Sequence, residues 1–500
     1  MPAFYGQDTI HVSKKLTINA GLRWEPYLPV SDVHARGSIF SPAAFSAGTT
    51  SKLFVNAPAG SLFYGDPGIP RAYTHGSWLQ FSPRLGLAFN PHGDGRDSIR
   101  IGFGILDDAN KMFFNELTTN NPPFVDNVIL NSPAGGFVNP WQGYPGGTPF
   151  PQPSVPASNV TFPTQGQYIV WKNHMSPTYM AQWNVSYQRQ FRGNWMASIN
   201  YLGNKSTHIW GAIDLNPSVY IPGTCNGQPC SSFSNTAQRY LLTLQNPNVG
   251  PYYGNVFQTD DSGNSTYSAL LVSVQHRLSQ GYTVLANYTY SHCLSDYDFF
   301  GEVAMQTFEI PNNRRADKGN CLMNFANNFS LSLVARSPVK GSSVADRILG
   351  KWQISPIIRA YSGLPLNPLT GADNSLTNIG LDRPNQVLAN PYPANKSVSD
   401  WINPAAFAPN AFGTFGNVGR DTLAGPSWFN FDLALSRIFT IHENFNAEVR
   451  FEAFNVLNHP NFDSPDPYEN DSTFGQITSA EDPRILQFSV KFHFYTRGHK

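Results

Sequence analysis

The stretch RILQFSVKFHF, Arg484–Phe494, places Leu486, Phe488, Val490, Phe492 and Phe494 on one side and Gln487, Ser489, Lys491 and His493 on the other. Successive side chains of an extended strand point to opposite faces, so this is a strand with one apolar and one wet face. The same alternation returns along the whole chain. LTINAGLRWE sets Leu16, Ile18, Ala20, Leu22 and Trp24 against Thr17, Asn19, Gly21, Arg23 and Glu25. YMAQWNVSYQ, WMASINYLG, YTVLANYTY, FNFDLALSRIF and NFNAEVRFEAF repeat it. Many of these runs alternate for 9 to 13 residues, where strands of soluble proteins usually have about five or six. A tilted strand needs about 9–11 residues to cross the hydrocarbon layer of a bilayer. The wet face carries Arg23, Glu25, Asn184, Gln188, Asn287, Glu448, Arg450 and Glu452. A dry sandwich core rejects such groups unless each is paired, whereas a water-filled lumen accepts them.

Composition agrees. Charged residues are 13% of the 500, with 33 Lys+Arg against 33 Asp+Glu, so nothing favours a nucleic-acid partner or an anionic surface. The 36 Phe, 22 Tyr and 10 Trp exceed what small cores need and suit interfacial girdles. No run of 18 apolar residues offers a helical span. The start, MPAFYGQDTI, lacks the basic region and apolar run of a signal peptide. An exported chain beginning this way is expected to be a fragment or to have a mis-assigned start.

Thirteen strands are expected: 4–12, 16–25, 79–89, 98–106, 177–191, 194–203, 265–278, 281–292, 327–337, 351–361, 427–439, 443–455 and 484–494. The linkers between them alternate short, long, short, long. Long ones cover 26–78, 107–176, 204–264, 293–326, 362–426 and 456–483. They read as irregular, exposed structure rich in Pro, Gly and Asn. This is the pattern of an antiparallel up-and-down transmembrane β-barrel with tight periplasmic turns and long external loops. Single-chain bacterial barrels have an even strand number, so one strand is missing from this count. The expectation is either an overlooked strand within 233–258 or, preferably, a barrel of 13–14 strands here that is incomplete at its N-terminus.

No metalloprotease HExxH, nucleophile elbow or phosphate-binding loop is present, and GTFGNVG at Gly413–Gly419 has neither a strand before it nor a helix after it. The expectation is no enzyme, no catalytic residue, no metal and no cofactor. Glu448, Arg450 and Glu452 are expected to form a lumen charge ladder pairing with neighbouring strands. Asp260–Asp261 and Asp296 with Asp298 read as solvated loop acids rather than a calcium site. Trp24, Trp183, Trp195, Tyr288 and Tyr290 read as interfacial anchors, and Arg437, alone on an apolar face, as a snorkelling cation. Loop aromatics Trp141, Tyr144, Tyr252 and Tyr253 are candidates for contacting a ligand. Cys225 and Cys230 lie in one polar loop, and Cys293 and Cys321 flank another. Two loop disulfides in an oxidising compartment are preferred over zinc or free thiols, with the connectivity left open.

FYGQDTIHVSKKLTINAGLRWEPY, ALLVSVQHRLSQGYTVLANYTYSHC, VRFEAFNVLNHPNF and RILQFSVKFHF, in that order, resemble the barrel of TonB-dependent receptors, in particular the Oar-like branch. The resemblance implies 22 strands around an N-terminal plug, location in the cell outer membrane, contact with outer-membrane lipid and the barrel-assembly machinery, and solute uptake driven by the TonB energy complex through the plug. On that reading residues 1–500 are the C-terminal part of the barrel, the plug domain is absent, and Leu486 to Phe494 form the barrel-closing strand. The tail YTRGHK after Phe494 departs from the family, whose chains end at the final aromatic. The solute is not legible. Two alternatives from other classes are a non-transporting surface adhesin or structural outer-membrane barrel, and a secreted soluble β-protein.

Overall fold

The computed structural model describes residues 2–72, 74–108, 116–119, 121–125, 135–142, 156–279, 281–297, 307–339, 343–442 and 445–494. Thirteen strands form one antiparallel path: β1 (Phe4–His11), β2 (Leu16–Trp24), β3 (Phe81–Phe89), β4 (Asp97–Asp107), β5 (Tyr179–Gln190), β6 (Trp195–Asp214), β7 (Tyr253–Ser279), β8 (Tyr282–Ser295), β9 (Asn327–Arg336), β10 (Trp352–Tyr361), β11 (Trp428–His442), β12 (Phe445–Phe454) and β13 (Ile485–Phe494). Each strand pairs with its neighbour in sequence, as an up-and-down sheet requires. Among the described residues β1 pairs only with β2 and β13 only with β12, so the sheet is open. The closing role expected of Leu486, Phe488, Val490, Phe492 and Phe494 therefore has no second partner strand here. No separate strand crosses within 233–258. That segment holds a 3-10 turn at Phe233–Arg239, the short helix Leu241–Gln245 and the start of β7.

Register keeps the two faces apart across the whole sheet. Phe488, Val490 and Phe492 oppose Phe451, Val449 and Ala447, which oppose Leu435, Arg437 and Phe439. Far along the sheet, Ile101 opposes Leu87 and Val185, and Leu87 opposes Ile18. The apolar face stays open to solvent: Leu85, Ile101, Val185, Ile199, Phe451, Leu486, Phe488 and Phe492 are all more than 40% exposed. Soluble monomers rarely expose contiguous apolar patches beyond a few hundred Å². A face of this extent belongs in lipid, where an antiparallel strand satisfies its backbone through its neighbours. Rings gather at both ends of the band. Phe4, Trp24 and Trp78 stack at the long-loop end, and Phe445 stacks on Phe492 and Phe494 at the short-turn end.

Two strands exceed the expectation. β6 has 20 residues and β7 has 27, and they stay paired from Trp195–His276 up to Asp214–Phe257. At about 3.3 Å per residue this hairpin reaches well past a hydrocarbon layer about 30 Å thick. Its upper part is scaffolding for the loops. The short strand Gly166–Val170 adds to β7 in parallel and brings Tyr168 and Val170 against Tyr253 and Val256.

The long connections are largely irregular, as expected, apart from the upper part of the β6–β7 hairpin, but they are not simply exposed. They hold the buried core of the molecule. Tyr27, Tyr64, Ile169, Trp171, Met175 and Trp210 form one cluster, and Phe54, Phe63, Phe124 and Phe162 another. Leu366, Ile402, Phe407, Val418, Leu423 and Phe474 form a third from the last two long loops. A periodic strand gives one apolar face to lipid, so the remaining large side chains bury where the loops meet each other.

Candidate functional site: polar face and outer loop assembly

With the lipid face assigned, alternation leaves Gln7, Asn19, Arg84, Arg100, Asn184, Asn200, Asn287, Arg359, Asp432, Arg450 and Ser489 on the opposite face. Ion pairs on it run both along and between strands. Arg450 Nη2 lies 2.7 Å from Glu452 Oε1 on the same strand. Glu448 Oε2 lies 3.3 Å from His493 Nε2 on the neighbouring one. Of these two pairs, Arg450–Glu452 lies within β12, whereas Glu448 reaches across to β13. Arg23 Nε bonds Glu25 at 2.7 Å, and Arg359 Nη2 is 3.6 Å from Asp432. These side chains are 17–54% exposed, so each pair contributes at most about 1 kcal/mol. Their effect is to keep the face wet and evenly charged.

At the loop end of this face the pattern breaks. Tyr361 and Trp428 are register partners on β10 and β11, and their rings stack at 4.7 Å and 5°. Arg359 lies over the Trp428 ring at 5.3 Å, Phe325 meets Tyr361 edge-on, and Trp428 Nε1 donates to Glu481 at 2.7 Å. Sequence reasoning did not single out this aromatic group. Its signal was there: two large aromatics at paired strand ends, in phase with Arg359 and Asn430 on the wet face.

Among the loop aromatics, Tyr252 is 36% exposed and Trp141 half-buried. Tyr144 lies outside the described residues. Tyr253 is a correction. It is fully buried, its hydroxyl within bonding distance of Ser61 Oγ (2.9 Å) and of the Ala59 carbonyl (2.8 Å). It ties the first long loop to β7 and presents nothing to a solute.

Asp260 and Asp261 are not solvated either. Both are buried, and Asp261 pairs with Lys172 Nζ at 2.6 Å and accepts the Ser176 N–H at 2.7 Å. Asp296 pairs with Arg314 at 3.1 Å, and Asp298 lies outside the described residues. Among the described residues no cluster of His, Cys, Asp and Glu has a metal-binding arrangement. Disulfides join Cys225 to Cys230 and Cys293 to Cys321. The first closes an exposed hairpin tip, and the second ties the top of β8 to its following loop.

Deeply buried charges also bind the loops after β8 and β10. Arg383 Nη1 is 2.6 Å from Asp317 Oδ1, Nη2 pairs with Glu309, and Nε donates to the Val418 carbonyl. Glu309 also accepts the Arg383 N–H at 2.7 Å, and Arg420 Nε donates to the Asp317 carbonyl at 2.6 Å. Burial pushes the Glu309 carboxyl up to about 7, against the attraction of Arg383 and with the repulsion of Asp317 and Asp382. Burial likewise raises Asp373.

The profile of the outer membrane beta barrel domain matches residues 1–487. Among solved structures, the chain is similar to the outer membrane transporter YddB from Escherichia coli, at 9% identity and a TM-score of 0.50, covering 99% of this chain and 45% of that one. It is also similar to the pyoverdine outer membrane receptor FpvA from Pseudomonas aeruginosa PAO1 (10%, 0.44, 99% and 42%) and to the ferric-catecholate import receptor Fiu from Escherichia coli K12 (9%, 0.42, 99% and 44%). The chain spans less than half the length of these structures. No curated protein matches it.

Proposed function

This chain belongs to the outer membrane beta barrel domain family, and on that premise we propose that it forms part of a TonB-dependent uptake receptor of the Oar-like branch. Its place is the outer membrane, with the short turns on the periplasmic side and the long loops outside. In this reading the outer loops capture a small solute, the aromatic lip at Tyr361 and Trp428 meets it next, and the polar face conducts it inward. No covalent bond changes, and no cofactor takes part. Because the chain spans less than half of the receptors it resembles, the plug, the TonB contact and the driven step are part of the proposal.

The single observation that supports uptake best is the pairing of a lipid-facing band with a hydrated, charge-bearing face over thirteen consecutive strands. The Oar-like assignment rests on the four ordered segments quoted above. The test is solute depletion: cells with the receptor, cells lacking it, and cells lacking TonB are each incubated in a complex growth medium followed by mass spectrometry. Uptake predicts at least one small solute removed by the first strain alone. Removal equal in all three strains, with loss of surface attachment in the second only, sinks uptake in favour of an adhesin.

A further inference from the structure

We infer that the turn between β9 and β10 carries a membrane-embedded helix, whose residues Val344, Ile348 and Leu349 enter the periplasmic leaflet of the outer membrane below the lipid-facing band. The connection is longer in sequence than the tight turns around it. Its helix, Val344–Leu349, opens on a capping box: Ser343 Oγ accepts the Asp346 N–H at 3.1 Å, and the Asp346 carboxylate accepts the Ser343 N–H at 3.1 Å. Val344 and Ile348 are four residues apart and share a face. Both are exposed, at 73% and 59%, as is Leu349 at 59%. Left in water, these side chains would serve no purpose in the turn.

The far end of the helix shows which way it lies. The Ile348 carbonyl accepts Arg437 Nη1 at 2.9 Å and Trp352 Nε1 at 2.8 Å, and the Leu349 carbonyl accepts Ser337 Oγ at 2.7 Å. Trp352 and Arg437 are register partners on the lipid-facing side of β10 and β11, in line with Ile354 and Leu435. The Arg437 guanidinium sits 5.5 Å from the Trp352 ring and 4.8 Å from that of Phe439. The helix is therefore tied to the lipid-facing side of the sheet and not to its wet face. Phe439 and Ile441, both exposed, continue the band down to it. A cation at a helix C-terminus, with an aromatic ring beside it, is at home at headgroup depth. An apolar helix face running on from that level meets the headgroup–acyl boundary, about 5–10 Å deep. The continuity of the band selects lipid over a periplasmic protein or a second copy of the chain.

The test uses the full-length protein purified from outer membranes and reconstituted in phospholipid bilayers. Val344→Cys and Ile348→Cys each receive an environment-sensitive fluorophore, since the native cysteines are disulfide-bonded. Phe439→Cys serves as the lipid-facing reference and Ser355→Cys as the wet-face one. The inference expects probes at 344 and 348 to be quenched about twofold more by a nitroxide placed shallowly in the acyl chains than by one at mid-bilayer, and to be shielded from aqueous iodide. Iodide quenching equal to that at Ser355, with no nitroxide quenching while Phe439 is quenched, overturns it in favour of water or a soluble partner. Emission that shifts as the protein is diluted in lipid overturns it in favour of contact between copies. The Phe439 reference reports on the barrel itself, so failure here leaves the uptake reading standing.

Discussion

Arg383 holds Asp317 through a 2.6 Å contact, with both residues less than a tenth exposed. They come from different long loops, one after β8 and one after β10, and Glu309 completes the group. A buried charge triad of this kind adds little net stability over an apolar one, but breaking it is costly. Its consequence is cooperative: the two loops hold one arrangement together or lose it together.

Arg383→Met leaves Glu309 and Asp317 buried without their cation, a loss of about 3–5 kcal/mol confined to the outer loops. Amide hydrogen exchange of the reconstituted protein checks this. Exchange in residues 307–325 and 370–424 rises steeply, while that in β11 and β12 stays as in the parent.

The same junction carries a pH dependence set by Glu309. Its folded carboxyl titrates near 7, against an ordinary glutamate value of 4.5. A folded value above the unfolded one means the contribution is fully present below about 4.5 and is lost as pH rises through about 7. The full span is roughly 3 kcal/mol. Protease nicking of these loops therefore increases from pH 5 to pH 8 in the parent. In Glu309→Gln the increase is much smaller, and a slope equal to the parent's would contradict the assignment to Glu309.

Gly211 sits at the upper end of β6, where a Cβ would overlap the ring of Tyr297. That ring is buried, and its hydroxyl accepts the Ala212 N–H at 2.8 Å. Gly211→Ala must displace it, at about 1–3 kcal/mol. Thermal melts followed by near-ultraviolet circular dichroism show a lower loop transition, with heat-modifiable gel migration of the barrel unchanged.

The two disulfides differ in the length of chain they close, 28 residues for Cys293–Cys321 and 5 for Cys225–Cys230. In the chain-entropy picture the first contributes roughly 3–4 kcal/mol and the second less. Paired serine replacements compared in urea titrations show a larger loss for the Cys293/Cys321 pair. Equal losses would point to native contacts at the hairpin tip instead.

The thirteen strands were legible because lipid on one side and water on the other impose a strict period of two, which Leu486–Phe494 displays without interruption. Where that constraint ends, legibility ends. The upper halves of β6 and β7, such as Thr207–Asp214, leave the lipid and pack against loops, so their pattern stopped looking like a spanning strand. Tyr252 and Tyr253 are adjacent in PYYG and have opposite fates, because burial of Tyr253 depends on Ser61, 192 residues away. Arg383 meets Glu309 across 74 residues, a pairing no local pattern encodes. Arg437 stood out as a cation on an apolar face, but its partner, the end of a short helix, is visible only in three dimensions.

The central claim is that alternate residues of these strands face lipid and water. Single cysteines at residues 447 to 452 of β12, probed in intact outer membranes with a membrane-impermeant maleimide small enough to enter the lumen, test it most directly. The account predicts strong labelling at Glu448, Arg450 and Glu452 and protection at Ala447, Val449 and Phe451. Uniform labelling, or protection without a period of two, would contradict it.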